Sequence, residues 1–403
     1  MTLRWLFFDL NSYFASVEQQ ERPHLRGKPT AVVPALVDST CCIAASYEAK
    51  AFGVKTGTLV AEARRLCPDI TFIEGRHDLY VQYHHRIVEA VEACMPVDVV
   101  LSIDEMAGRL HGTESQRDNA IKLANRIKAS VQKNVGAYLK SSIGIAPNRY
   151  LAKVAGDMQK PDGLTIIEQK DLPHVLFKLD LRDFPGIGRN MERRLHQAGI
   201  LTSQALCAQS EKEMRDIWGG IGGNRFAAWL RGVDIDVMNE KNKSIGHSHV
   251  LEPDVRTKAG SFRVAQYLLG KAARRLRRIG YWAGGLSVAL RLRGGGAWQR
   301  ATKLPEIQDT PTLLHTLEAL WEDFPNDEYP MWVGVTLSPL IPPGQHTIPL
   351  FDDQKKEKLS NVMDALNERF GKNKVLYAAL QDKSPDDAPT RIAFTSVPEL
   401  EDF

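Results

Sequence analysis

The sequence predicts an α/β and α+β multidomain protein, on three observations. Its 403 residues exceed what one ordinary core needs, so about two to four domains are expected. Up to about residue 165, short apolar or β-branched runs alternate with amphipathic stretches, the order of an α/β sheet covered by helices. After a polar, core-poor stretch at Asp234–Lys243, suited to a linker, a basic segment leads into a second series of strands and helices.

Trp5–Leu10, "WLFFDL", places bulky apolar residues before a carboxylate and reads as a buried strand that delivers Asp9 to its end. Ser12 is the expected N-cap of a helix running through Glu18. Thr30–Val33 and Cys41–Ala45 read as paired strands. Tyr47–Phe52 and Thr58–Leu66 read as helices punctuated by Gly53 and Gly57. Tyr80–Ala93 has helical apolar spacing, and Val97–Ile103 is a β-branched strand ending at Asp104-Glu105. Ala120–Val135 is an amphipathic helix before the strand Ser141–Ile145, and the helices are expected on one face of the sheet. From Leu179, "FPGIGRNMERRLHQAGI" and "GGIGGNRFAAWLRG" each join short helices through glycine turns, a small helical domain. Beyond the linker, Leu286–Arg293 and Gln299–Lys303 form a strand pair. The helix Thr312–Asp323, the strand Met331–Leu337 and a helix around Lys355–Phe370 complete a compact α+β domain.

Hydrophobic residues at 43% and charged residues at 25% are those of a globular protein. No apolar run is long enough for a membrane span and the N-terminus lacks a signal pattern, so no membrane partner is expected. Five cysteines without C-x-x-C spacing point to reduced thiols in a cytoplasm. The net charge of +3 conceals an asymmetry: between Ser244 and Leu304 twelve Lys and Arg face two acids. Such a block is the footprint of a polyanion partner, whereas a solvated helix face would mix signs.

Asp9 and the Asp104-Glu105 pair each stand where an apolar run stops. Singly, each could be a solvated strand end. Together they would repel and raise at least one pKa unless a divalent cation neutralised them. Hard oxygen ligands select Mg²⁺ or Mn²⁺ over zinc, and two such ions would clamp an in-line phosphoryl displacement.

"FFDLNSYFASVE", "CIAASYEAKAFGVKTG", "LSIDE", "SSIGIAPNRYLAKVAGDMQKPDG" and "FPGIG" occur in the order and spacing of a known family. Through them nearly the whole chain resembles the DinB-type Y-family translesion DNA polymerases. The resemblance implies a right-hand polymerase: a palm at 1–25 and 75–165, fingers at 26–74, and a thumb with a helix–hairpin–helix at 166–233. A linker at 234–244, a little finger at 245–345 and a C-terminal segment at 346–403 would follow. It implies low-fidelity, template-directed addition of dNMP to a primer 3′-OH, with two Mg²⁺ ions (or Mn²⁺) on Asp9, Asp104, Glu105 and the Leu10 carbonyl. Phe14, beside Tyr13, falls at the steric gate that excludes a ribose 2′-OH, and Tyr47, Lys50 and Lys160 match triphosphate-binding positions. Ammonium and phenol groups suit phosphate oxygens. Gly186 and Gly188 would let a hairpin approach a DNA phosphate. Arg274, Arg275, Arg277 and Arg278 on a helix, and Arg291 and Arg293 on one strand face, would grip the duplex without reading sequence.

The implied partners are primer–template DNA, a dNTP and, through Thr347–Phe351 in "HTIPLF", a sliding clamp; the chain would act as a monomer. Thr347 departs from the usual glutamine of a clamp peptide. Met106, Ala107, Gly108 and Arg109 depart from the family's usual continuation after Asp-Glu, and "VVPALVDST" replaces a glycine-rich stretch. No segment resembles a proofreading exonuclease. Two other readings are a non-catalytic Y-family-like scaffold that recruits another polymerase, which the intact acids disfavour, and a palm-type nucleotide cyclase, which the basic block disfavours.

Overall fold

A computed structural model describes residues 3–38, 40–235, 243–325, 327–347, 355–371, 374–380, 392 and 397. Two compact units form, Met1–Asp236 with Arg391–Phe403 and Val237–Thr390.

The first unit begins with β1 (Trp5–Leu10) and α1 (Tyr13–Glu21). Next come β2 (Thr30–Val33), β3 (Ala44–Ala45), α2 (Tyr47–Lys50), α3 (Val60–Leu66) and β4 (Thr71–Glu74). Then come α4 (His77–Glu92), β5 (Val99–Val100), β6 (Glu105–Arg109), α5 (Arg117–Asn134), β7 (Ser141–Ala146), α6 (Arg149–Met158) and β8 (Leu164–Ile166). The main sheet has the order β5-β6-β1-β7-β8, with β1 antiparallel to both neighbours; a smaller sheet is β3-β2-β4.

Strand alternation splits β1 between two cores. Leu6, Phe8 and Leu10 pack with α4 and α5, while Trp5 and Phe7 pack with Leu151 and Ala155 of α6. Helices therefore cover both faces of the sheet, not one as expected, and β1 is buried along its whole length for that reason. The contact between α6 and β7 depends on Gly144, where a Cβ would stand 1.9 Å from the Ala152 carbonyl.

Three local expectations are corrected. The strand at the Asp104-Glu105 pair starts at Glu105 instead of ending there, because the chain turns after β5 and returns along β1. Ser12 does not cap α1; it takes a left-handed φ of 51°, and Ser16 Oγ donates to the Asn11 carbonyl at 2.6 Å instead. The run Cys41–Ala45 keeps only Ala44–Ala45 as strand, with Cys41 bridging Leu59. The residues after Glu105 suit their places: Met106 and Ala107 enter opposite cores, and a Cβ at Gly108 would meet the Pro96 carbonyl at 2.4 Å.

The first unit continues with α7 (Arg189–Gln197), α8 (Ser203–Ala208), α9 (Glu211–Trp218) and α10 (Ile221–Leu230), sharing a core with Phe7 and α6. In the second unit β9 (Ile245–Val250), α11 (Lys258–Arg278), β10 (Trp282–Leu292), β11 (Ala297–Ile307), α12 (Thr310–Trp321), β12 (Pro330–Leu337), β13 (Leu340–Ile341) and α13 (Lys355–Phe370) follow one another. Its sheet runs β11-β10-β12-β9, and α11 and α12 pack on one face over Leu286, Val288, Leu290, Val333 and Val335. All five cysteines are free thiols. Among the described residues no helix is long and apolar enough to cross a membrane.

Candidate active site

Asp9 lies on the same side of β1 as Phe7, the α6 side, and its Cα is registered against that of Glu105 on β6. Leu10 N–H donates to the Asp104 carbonyl at 2.9 Å, so all three acids stand at one end of the adjacent inner strands β1 and β6. Each carboxylate has its own partner. Lys160 Nζ reaches Asp9 Oδ2 at 2.9 Å and Asp157 Oδ1 at 2.7 Å; Lys153 of α6 pairs with Glu105; Ser102 Oγ donates to Asp104 Oδ1 at 2.5 Å. Among the described residues no three acidic, His or Cys side chains close on a single point.

Burial pushes the Asp9 carboxyl up to about 7, against the pull of Lys160 and with Asp104 and Glu105 adding to the rise. Burial also raises Asp104, which the Ser102 hydroxyl opposes. Burial would lower Lys160, but Asp9 and Asp157 outweigh it and hold the ammonium charged. The loop bearing Lys160 is tied down where Asp162 N–H donates to Asn11 Oδ1 at 2.8 Å and Lys128 Nζ to Asp162 Oδ1 at 2.9 Å.

Ser46 caps α2 by accepting from Ala49 N–H, and that short helix presents Tyr47 to the same cavity as the acids, with Lys50 Nζ 4.4 Å from its ring centroid. Burial lowers the Lys50 ammonium, helped by repulsion from Lys160, and raises the Tyr47 phenol, which remains a donor. Asp9, Leu10, Tyr13, Phe14, Tyr47, Lys50, Asp104, Glu105 and Lys160 all line one cavity of about 520 Å³. These are the sequence-nominated residues of the palm and fingers, gathered from distant stretches of chain. Ser102, His77 and Ile392 also line it.

The impB/mucB/samB family matches residues 8–157, its C-terminal domain 242–350, and the IMS family HHH motif 170–200. DNA polymerase IV of Moorella thermoacetica is 33% identical over 394 residues, covering 93% of this chain and 95% of its own. DNA polymerase IV 1 of Bacillus subtilis is 30% identical, covering 90% and 89%. The chain belongs to the DinB-type Y family of translesion DNA polymerases. In fold it is similar to a Y-family DNA polymerase chimera of Dbh and Dpo4, with a TM-score of 0.72 at 24% identity, covering 84% of this chain and 99% of that one. An insertion ternary complex of Dbh DNA polymerase gives 0.57 at 24% identity over the same shares.

In the thumb of this Y-family polymerase, Gly186 has φ 93° and Gly188 precedes α7, both with open space where a Cβ would stand. Ile187 between them is buried and anchors the turn, and Tyr150 of α6 donates to the Pro185 carbonyl at 3.0 Å. In the second unit Arg291 is exposed and Arg293 more so than its neighbour Leu292, with guanidinium carbons 5.2 Å and 5.5 Å from the ring centroids of Trp332 and Tyr329. They border a sheet face of small residues, on which Ser287, Ala289 and Thr336 are half-buried and Gly334 is buried beneath the Trp332 ring.

The helix arginines divide. Arg275 and Arg278 keep part of their surface open to solvent. Arg277 is corrected as a DNA-gripping residue. Its side chain is 5% exposed and is used up by Asp364 of α13 (2.7 and 3.0 Å), the Gln308 carbonyl (2.7 Å) and Thr310 Oγ1 (3.0 Å). Arg274 also faces Asp364, at 3.6 Å. Of Thr347–Phe351, only Thr347 lies within the described residues, its N–H donating to Glu306 Oε2 at 2.9 Å. Sequence reasoning missed Lys153 and Asp157. The signal was present, since Lys153 and Asp157 are four apart on one helix, directly before Lys160.

Proposed function

We propose that the cavity binds an incoming dNTP against the primer 3′ end, and that Asp9, Asp104 and Glu105, with the Leu10 carbonyl, hold two Mg²⁺ ions there. Mn²⁺ would satisfy the same oxygen donors. The observation that carries this is that one cavity is lined by all three acids together with Tyr47, Lys50 and Lys160. The residues fit such ions: Asp9 and Glu105 are already balanced by ammonium groups that a metal would replace as counter-charge. When bound, the ions would lower the pKa of the 3′-OH and neutralise the charge developing on pyrophosphate.

The chain's own groups do the rest. Lys160, released from Asp9, and Lys50 balance the phosphate oxygens, and the Tyr47 hydroxyl donates to them. Phe14 lies beneath the sugar and excludes a 2′-OH. Gly186 and Gly188 present α7 amides to a duplex phosphate, while Arg275, Arg278, Arg291 and Arg293 hold the backbone. The protein would act as a monomer, and Thr347–Phe351 would serve as its clamp peptide, which a pull-down with a Phe351→Ala control tests.

Primer extension by Asp104→Asn is the test of the site. Loss of Mg²⁺-dependent incorporation with duplex binding retained supports it. A near wild-type rate would refute the acid assignment, and absence of incorporation by the unmodified chain would favour the scaffold reading.

A further inference from the structure

We infer that an ion pair outside the cavity, the buried Glu18 with the partly exposed Arg76, sets the sugar selectivity of the polymerase by fixing the ring against which Phe14 rests. The inference builds on the reading of Phe14 as the sugar-excluding side chain.

Phe14 and Glu18 are four residues apart and share one face of α1. Phe14 is only half-buried, and its ring stacks on Tyr80 of α4 with centroids 4.3 Å apart and planes at 13°. His77 meets it edge-on at 6.1 Å. Tyr80 is therefore the back wall that stops the Phe14 ring from swinging away from the cavity.

Tyr80 is itself held at several points. Its hydroxyl donates to Glu18 Oε1 at 2.8 Å, and its carbonyl accepts from Tyr13 Oη at 2.5 Å. Glu18 has no exposed side-chain surface, which is costly for a carboxylate unless it is fully partnered. Arg76 supplies the fork, Nε to Oε1 at 3.0 Å and Nη2 to Oε2 at 2.6 Å, and Arg22 adds a charge at 3.7 Å. Burial and the Glu18 charge keep the Tyr80 phenol protonated as a donor. None of Glu18, Arg76 and Tyr80 lines the cavity. A cluster this costly, closed around the back of one ring, makes the three positioning residues for Phe14.

The test is single-nucleotide insertion of matched dNTP and rNTP by Tyr80→Phe, Glu18→Gln, Arg76→Lys and Phe14→Ala. Tyr80→Phe keeps the aromatic ring and the ion pair, so it stays informative if Glu18→Gln fails to fold, which circular dichroism reports. The expected result for Tyr80→Phe and Glu18→Gln is a relative rNTP kcat/KM raised about tenfold, the scale of one missing charge-assisted hydrogen bond. The dNTP kcat should stay within about twofold, and Arg76→Lys, which retains the charge, should restore part of the discrimination relative to Glu18→Gln. If Phe14→Ala admits ribonucleotides while Tyr80→Phe discriminates as wild type, the inference is overturned and the gate stands. If Phe14→Ala discriminates as wild type, the gate reading itself falls.

Discussion

The acids at the end of β1 and β6 and the basic helix of the second unit were nominated in the same way, by charged side chains at suggestive places, and they turned out differently. Around those strand ends every nominated side chain lines the cavity. On α11, Arg277 turns inward to Asp364 and Arg274 shares that carboxylate. Ser261, Ala265, Leu269 and Ala273 are buried at intervals of four, and Arg277 is the next member of that row. Counting charge establishes the sign of a surface; only the helical repeat says which member of the run faces the core.

The sharpest way to break this contrast is Asp9→Asn. Extension should fall by at least about a hundredfold, since several kcal/mol of transition-state stabilisation is at stake, while duplex affinity stays. Next, Arg277→Ala should destabilise the second unit by about 2–4 kcal/mol, because it strands Asp364 in a half-dry site, without changing the salt dependence of DNA binding. Denaturant melts and a salt titration read the two effects separately. Arg291→Ala or Arg293→Ala should do the reverse, making the log–log salt slope shallower by about 0.9 for each phosphate no longer neutralised and leaving stability unaltered.

The smallest effect is a pH slope. The Asp9 carboxyl, at about 7 when folded against 3.8 ordinarily, holds a proton that the unfolded chain has already released over that interval. The stability it contributes is present at low pH and is lost as pH rises through 7. Melting of the metal-free protein should therefore decline across that window, and Asp9→Asn should flatten the decline. A slope that persists in the variant would assign it to another group.

How much was legible follows from the same physics. Asp9 could be placed because a six-residue buried strand has only two faces, and the five motifs fixed its neighbours in the chain. The return of the chain at Glu105 was not legible, since "VVLSIDE" carries no Gly or Pro to mark the turn and keeps apolar Leu101 and Ile103 within it. The second covered face of the sheet was hidden as well. It depends on Gly144 admitting α6, and a lone glycine in a strand gives no hint of what will approach it. The commitment of Arg277 needed Asp364, eighty-seven residues away, which no local pattern connects to it.

The short helix α6 carries Tyr150 at one end, fastened to the hairpin through Pro185, and Lys153 further along, fastened to Glu105. On the proposed reading, DNA retention and chemistry would thus hang from one rod. A substitution that tilts α6 would be felt at both ends, so kinetic phenotypes from that helix will resist division into binding and turnover defects. Variants meant to separate the two are better made on α7 or β6.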